Sequence, residues 1–297
     1  MALEVVTPTS IRRRGARRGS RSWAWLQLAP ATAYFAALFL GPLAILIAYS
    51  FWRTENYQFI PSFSLENYRE VLTSPVYQPY FERTLLLALL VAVLVLVIAY
   101  PFAYALTFVF PRRRQLLYFL VLVSLFGGYL VRIYAWRTML GKEGLINSAL
   151  EGAGVIDHPV GFFLNSQFAI VLTLVNFYLP LGVLPIFSAM QNVSPALLEA
   201  ADDLGSSRLH AMRRVLIPMT MRGVTAAFAF TFIAAAAEWV TPVLVGGAGD
   251  QFVGNQVVTA FGTDLNWPMG AALALTLVVV ALVIVGLVMA VTRWVTR

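Results

Sequence analysis

Six long apolar runs dominate this chain: Leu28–Ser50, Thr84–Phe110, Leu116–Leu140, Phe168–Met190, Val224–Val245 and Pro268–Val291. A helix needs about 20 apolar residues to cross the roughly 30 Å of bilayer hydrocarbon, and each run is long enough. Backbone in lipid must satisfy its own N–H and C=O groups, so such runs fold as helices. Of the 297 residues, 60% are hydrophobic and only 12% charged. A soluble domain of this length could not bury so much apolar surface. The expected fold class is an all-α integral membrane protein with six transmembrane helices. Residues 1–25 read as an Arg-rich cytoplasmic tail. Residues 26–297 read as one six-helix membrane domain, with no separate soluble domain. The first run exceeds the ~7–15-residue apolar core of a cleaved signal, and reads as a retained span.

Charge placement sets the orientation. Arginines precede the first run (Arg12, Arg13, Arg14, Arg17, Arg18, Arg21) and follow the second (Arg112, Arg113, Arg114). More follow the fourth (Arg208, Arg213, Arg214, Arg222) and the sixth (Arg293, Arg297). The alternate loops hold only Arg53, Arg69, Arg83 and Lys142. By the positive-inside rule both termini are cytoplasmic, in a bacterial inner-membrane, multi-pass arrangement. Retention of positive charge in the cytoplasm explains the arginine-rich start more simply than nucleic-acid binding does. Cysteine is absent, and His158 and His210 fall in different loops. No metal centre or histidine-based catalytic site is expected.

The loops on the outer side are short. Ser64 is placed to cap a helix carrying Leu65, Tyr68 and Leu72 on one side, and Gly144–Leu150 reads as a second short helix. The third loop, Gly246–Trp267, reads only as Gly- and Asn-rich. Gly41-Pro42, Pro101, Gly127-Gly128, Pro180 and Pro185 interrupt the spans. They serve either as packing kinks or as hinges of a pathway.

The segment 191–222 is polar and lies between the fourth and fifth runs. Ser194 and Pro195 suit a helix start. Glu199, Asp202 and Asp203 share one side, and Leu197, Leu198, Ala201 and Leu204 form an apolar stripe. Gly205 suits a left-handed stop, and Ser206 is placed to cap a second helix that ends near Pro218. The pattern alone fits an ordinary interfacial helix pair equally well.

Glu199-Ala200-Ala201, three residues, Gly205, nine residues, then Val215-Leu216-Ile217-Pro218 resembles the EAA loop of ATP-binding-cassette importer permeases. Arg132-Ile133-Tyr134-Ala135-Trp136-Arg137, Trp239-Val240-Thr241-Pro242, Gly254-Asn255 and Asn266-Trp267-Pro268 are similar to the polyamine (spermidine/putrescine) branch. The resemblance implies a type I importer permease fold whose coupling loop is 191–222. Glu199, Ala200, Ala201, Asp202, Leu204, Gly205 and Pro218 would then couple to an ATPase. It further implies two copies of a separate ATPase subunit, a second six-helix permease subunit and an extracytoplasmic solute-binding protein. This chain has no G-x-x-x-x-G-K-[ST] loop. ATP and Mg2+ therefore belong on the ATPase partner, and the chain is expected to hold no cofactor and to be no enzyme.

Charged side chains at membrane depth are costly and are candidate functional groups. Along straight helices Arg132, Glu238 and Asn176 fall at comparable depth in the outer half, near Tyr134, Trp136, Tyr178 and Trp239. Two readings stand. In the first, Arg132 and Glu238 are structural braces, pairing with each other or with a second subunit. Alternatively, Glu238 draws a cationic amine along a pathway lined by the aromatic rings. Related permeases carry iron, phosphonates or opines. A secondary transporter using Glu238 as an ion site is the rival from another class.

Overall fold

The computed structural model describes residues 20–295 apart from position 56. Arginines 12 to 18 of the expected tail, and Arg297, lie outside the described residues. The chain forms two compact units, divided between Ala48 and Tyr49. The first is mostly one helix, α1 (Ser20–Ser50), which contains Pro30 and Pro42. Phe35 and Phe39 on this helix are exposed.

The second unit is built on three helices: α3 (Gln78–Tyr104), α7 (Gln167–Met190) and α10 (Ile217–Ala236). Small residues let their backbones approach closely. A Cβ on Gly182 of α7 would stand 2.4 Å from Val95 Cγ1 of α3, and one on Gly223 of α10 would stand 2.6 Å from the Pro185 carbonyl of α7. Ala88, Ala92, Ala99 and Ala103 of α3 and Ala227 and Ala235 of α10 are buried in the same core. The outward faces stay apolar and exposed, as at Leu90, Val97 and Phe230, which is the surface lipid requires.

Two of the expected spans are not straight. The third breaks between α4 (Arg114–Leu125) and α5 (Tyr129–Leu140), with α6 (Leu145–Gly152) following. The bend is 91°. Gly127 and Gly128 occupy the break, and Gly128 takes an extended conformation. The depth assigned to Arg132 along a straight axis therefore does not hold. The fifth span breaks at Ala237–Trp239, between α10 and the short α11 (Val240–Val245). Among the described residues five helices are long and apolar enough to cross a bilayer, or six when the bent pair counts as one.

Near the α8 end, by contrast, a proline fails to stop a helix. After α8 (Pro195–Asp203), α9 (Arg208–Ala211) runs through a π turn, Met212–Leu216, directly into α10. The expected stop near Pro218 is absent. Pro218 has no N–H, and its ring would crowd the carbonyl one turn earlier. Widening the turn, with Ile217 N–H donating to the Met212 carbonyl, accommodates it. A second π turn, Ala105–Val109, follows the helix that contains Pro101.

Two elements were not expected. A hairpin pairs β1 (Arg53–Glu55) with β2 (Gln58–Ile60), Arg53 opposite Ile60, so the fold is not purely helical. The Gly- and Asn-rich loop contains α12 (Val253–Gly262) before α13 (Trp267–Val295). The first N–H groups of α12 are satisfied locally. Phe252 N–H donates to Asn255 Oδ1 at 2.8 Å, and Val253 N–H donates to Thr84 Oγ1 at 2.9 Å. Asn266 accepts from Thr54 Oγ1 of the hairpin at 2.9 Å and from the Met269 amide of α13 at 3.2 Å. The helix near Ser64 is α2 (Glu66–Thr73), and Ser64 Oγ accepts the Glu66 N–H. Its buried side is Asn67 and Val71. Leu65 and Leu72 are exposed, because Asn67 turns inward to donate to the Ser50 and Trp52 carbonyls.

Candidate functional site

The first candidate locus is the elbow formed by α8, Gly205 and α9. Gly205 has φ +77, and an added Cβ would meet nothing within 4 Å. The residue is needed for its backbone conformation, not for space. Ser206 N–H donates to the Ala201 carbonyl at 3.0 Å, closing the helix end in the manner glycine stops permit. Ser207, one position past the expected Ser206, caps the second helix by accepting the His210 N–H.

The apolar stripe expected on α8 divides. Leu198 and Ala201 are half-buried, and Leu198 borders a cavity of about 330 Å3 with Tyr104, Phe108 and Leu216. Leu197 and Leu204 face outward, and Leu204 is 89% exposed. Glu199, Ala200 and Asp203 are also exposed, and Asp202 lies in the same helix. Pro218, in the first turn of α10, is exposed. The elbow thus presents apolar and acidic side chains together, with Leu204 left almost fully exposed among the described residues.

The second locus lies where the two broken spans meet α7. Glu238 is 5% exposed. Its Oε1 accepts from the Tyr129 hydroxyl of α5 and from the Val240 and Thr241 amides, at 3.2 and 3.4 Å for the amides. Its Oε2 accepts from the Tyr178 hydroxyl of α7 at 2.9 Å, and that hydroxyl also lies 3.1 Å from the Ala234 carbonyl. A carboxylate at the first N–H groups of α11 is where the helix dipole favours negative charge.

Arg132 does the converse for α4. Its guanidinium folds back to donate to the Ser124 carbonyl, in the last turn of that helix, and sits 5.1 Å over the Phe177 ring. A Cβ on Gly127 would stand 2.7 Å from Arg132 Nη2, so a side chain there would oblige the guanidinium to shift. Among the described residues the one ion pair is Arg53–Glu66, at 2.9 Å. Arg132 and Glu238 do not pair with each other. Each sits on the end of a broken helix with the complementary dipole.

Phe177 joins the two groups, with its ring edge-on to Tyr129 at 5.0 Å and to Tyr178 at 5.1 Å. Sequence reasoning named neither Phe177 nor Tyr129, although Tyr129 directly follows the flagged Gly127-Gly128. Trp136 Nε1 donates to Asn176 Oδ1 at 3.1 Å. Asn176 and Ser124 border an apolar cavity of about 270 Å3 with Leu120, Leu179 and Pro180. Tyr134 and Trp239 are exposed, at 51% and 45%, and neither joins the Glu238 cluster. Asn255 Nδ2 donates to the Trp239 carbonyl at 2.7 Å, and Gly254 leaves no room there for a side chain. The start of α12 therefore pins the break, which accounts for the Gly254-Asn255 pair.

A multi-span helical bundle with two broken spans and a protruding two-helix elbow defines a membrane transport subunit. The chain belongs to the family of binding-protein-dependent transport system inner membrane components, whose sequence profile matches residues 116–297. Among relatives, the spermidine/putrescine transport system permease PotB of Haemophilus influenzae is 31% identical over 81% of this chain and 84% of its own. The PotB of Escherichia coli is 34% identical over 80% and 86%. A putative 2-aminoethylphosphonate transport system permease, PhnU of Salmonella typhi, is 23% identical over 87% of each chain. In fold, the chain is similar to a bacterial ABC transporter involved in the import of the acidic polysaccharide alginate. That match has a TM-score of 0.76 and 17% identity, and covers 94% of this chain and 98% of the other. The same transporter in complex with its alginate-pentasaccharide-bound periplasmic protein matches equally well.

Proposed function

We propose that this permease imports a polyamine or a similar organic cation, delivered by an extracytoplasmic binding protein. ATP hydrolysed on separate subunits drives it, and a second permease subunit completes the pathway. The carrying observation is the exposed elbow. Leu204 and Leu197 offer apolar surface in a loop that the arginine distribution assigns to the cytoplasm. Such surface suits a cleft on a soluble ATPase.

The elbow continues without a stop into the helix Leu209–Ala236, 28 residues and about 42 Å long at ~1.5 Å per residue. Two residues beyond its far end stands Glu238, which holds α5 and α7. Movement at the elbow therefore reaches the break without an intervening flexible joint. Glu238 acts as the clamp of this region: both its oxygens are engaged, and solute contact would require displacing a tyrosine. Trp136, Asn176, Tyr134, Tyr178, Trp239 and Arg132 remain the proposed lining of the pathway.

A cationic solute is favoured by the spermidine/putrescine permeases among the relatives described above and by charge. The three loops opposite the elbow (53–83, 141–167 and 246–267) hold nine carboxylates, four, three and two in turn, against four basic side chains, three, one and none. An electronegative mouth concentrates cations. The test is purification of the chain with its companions, followed by labelled uptake in proteoliposomes. Co-purification of an ATPase and ATP-dependent spermidine or putrescine uptake are expected. Uptake of a phosphonate but not of amines would overturn the cation assignment, and absence of any ATPase would overturn the coupling.

A further inference from the structure

The Trp239 carbonyl and the Val240 amide belong to one peptide group, which is planar and moves as a unit. Its oxygen accepts from Asn255 Nδ2 of α12 at 2.7 Å, and its N–H donates to Glu238 Oε1 at 3.2 Å. A single rigid plane therefore stands between α12 and the Glu238 clamp. In a trans peptide the C=O and N–H point in opposite directions, so a pull on the oxygen tilts the N–H away from the carboxylate. Asn255 fills two roles at once. Its Oδ1 accepts the Phe252 N–H at 2.8 Å and so caps α12, which leaves Nδ2 for the break. Gly254 allows the close approach, because a Cβ there would stand 2.9 Å from the Glu238 carbonyl oxygen.

The helix that carries Asn255 packs in a core separate from that of α3, α7 and α10. Val71 of α2, Val253 of α12 and Met269, Leu273 and Leu277 of α13 are buried together there. Val253 N–H ties the start of α12 to Thr84 of α3 at 2.9 Å, but it is Asn255 that reaches the break. Further along α12, Val258 and Thr259 are exposed. We propose that Asn255 is the positioning residue that carries docking of the solute-loaded binding protein from the α2–α12–α13 assembly to the Glu238 clamp. This rests on the reading above, in which such a protein delivers the solute to the side opposite the elbow. Coupling of this kind needs an unbroken run of contacts that both ends can bias. Asn255, the peptide plane and Glu238 form that run, and Glu238 continues it to Tyr129 and Tyr178.

The test uses the complex with its ATPase and second permease subunits. ATP hydrolysis is measured with and without solute-loaded binding protein, and amide hydrogen exchange is followed in the same preparation. Asn255→Asp keeps the acceptor for Phe252 and removes the donor to Trp239. Asn255→Leu removes both at similar volume. Both should speed exchange of the Val240 and Thr241 amides about ten-fold, the scale of one lost hydrogen bond. Only the Leu variant should also speed exchange at Phe252. Both should cut the stimulation by the binding protein at least about five-fold while basal hydrolysis is unchanged. Thr84→Val removes the other tether of α12, and should leave Val240 exchange and the stimulation as in wild type. Unchanged Val240 exchange in both Asn255 variants, full stimulation in them, or an equal loss of stimulation in Thr84→Val would overturn the proposal. A wild-type complex that the binding protein does not stimulate would overturn the delivery reading itself.

Discussion

Replacing Glu238 tests whether a buried carboxylate in this bundle is a brace or a ligand. In Glu238→Gln the amide oxygen can still accept from Tyr129 and from the Val240 and Thr241 amides. The amide nitrogen can donate to Tyr178, whose own hydrogen can pass to the Ala234 carbonyl, 3.1 Å away. Every partner stays satisfied. The loss is the charge assistance and the favourable end of α11, together about 1–2 kcal/mol. In Glu238→Ala the Tyr129 hydroxyl and two amides are left without an acceptor in a site that is 5% exposed. At about 1–3 kcal/mol for each orphaned donor, the cost is at least about 3 kcal/mol. Thermal unfolding of the purified complex should therefore rank wild type, then Gln, then Ala. The gap between the two variants should be at least about 1 kcal/mol, or at least about 2 °C at roughly 2–4 °C per kcal/mol. Uptake should fall in the same order. Equal stability of the two variants would refute the clamp. A Gln variant of wild-type stability with abolished amine uptake would place Glu238 on the solute instead.

Three further outcomes follow from the geometry. Gly205→Glu should insert and assemble yet uncouple hydrolysis from transport, since it puts a charged side chain and a left-handed strain on the docking elbow; normal uptake by the variant would remove the coupling role. Gly182→Ala should destabilise the bundle by about 1–3 kcal/mol through its clash with Val95, and Val95→Ala in the same chain should recover most of that in a detergent melt. Trp136→Phe removes the donor to Asn176 while keeping the ring. It should alter amine uptake kinetics with less than about 1.5 kcal/mol of stability change, and an unchanged apparent affinity would take this pair off the pathway.

Much of the architecture was legible because it follows from local rules. Apolar run length places the helices, and Gly205 announces a left-handed stop that the backbone adopts at φ +77. What escaped depends on contacts between distant segments. Glu238 meets Tyr178 and Tyr129 across 60 and 109 residues, so its clamp has no local signature. The 91° bend at Gly127-Gly128, where Arg132 folds back beside Gly127, is invisible to a count of apolar residues, which reads one straight span. Pro218 was read as a stop because the local rule ignores the π turn that absorbs it. The helix α12 lacks a long apolar run, and its start is held by Thr84, 169 residues away.

The absence of a joint between Leu209 and Ala236 has a mechanical consequence. An arm about 42 Å long that swings by roughly 5° carries its tip through about 4 Å, more than the length of any hydrogen bond at the carboxylate it approaches. Under the proposed coupling, small rotations at the elbow would be geared up into rupture of those bonds at the far end. The stiffness of the arm, more than the strength of the ATPase stroke, would decide how sharply the two are synchronised.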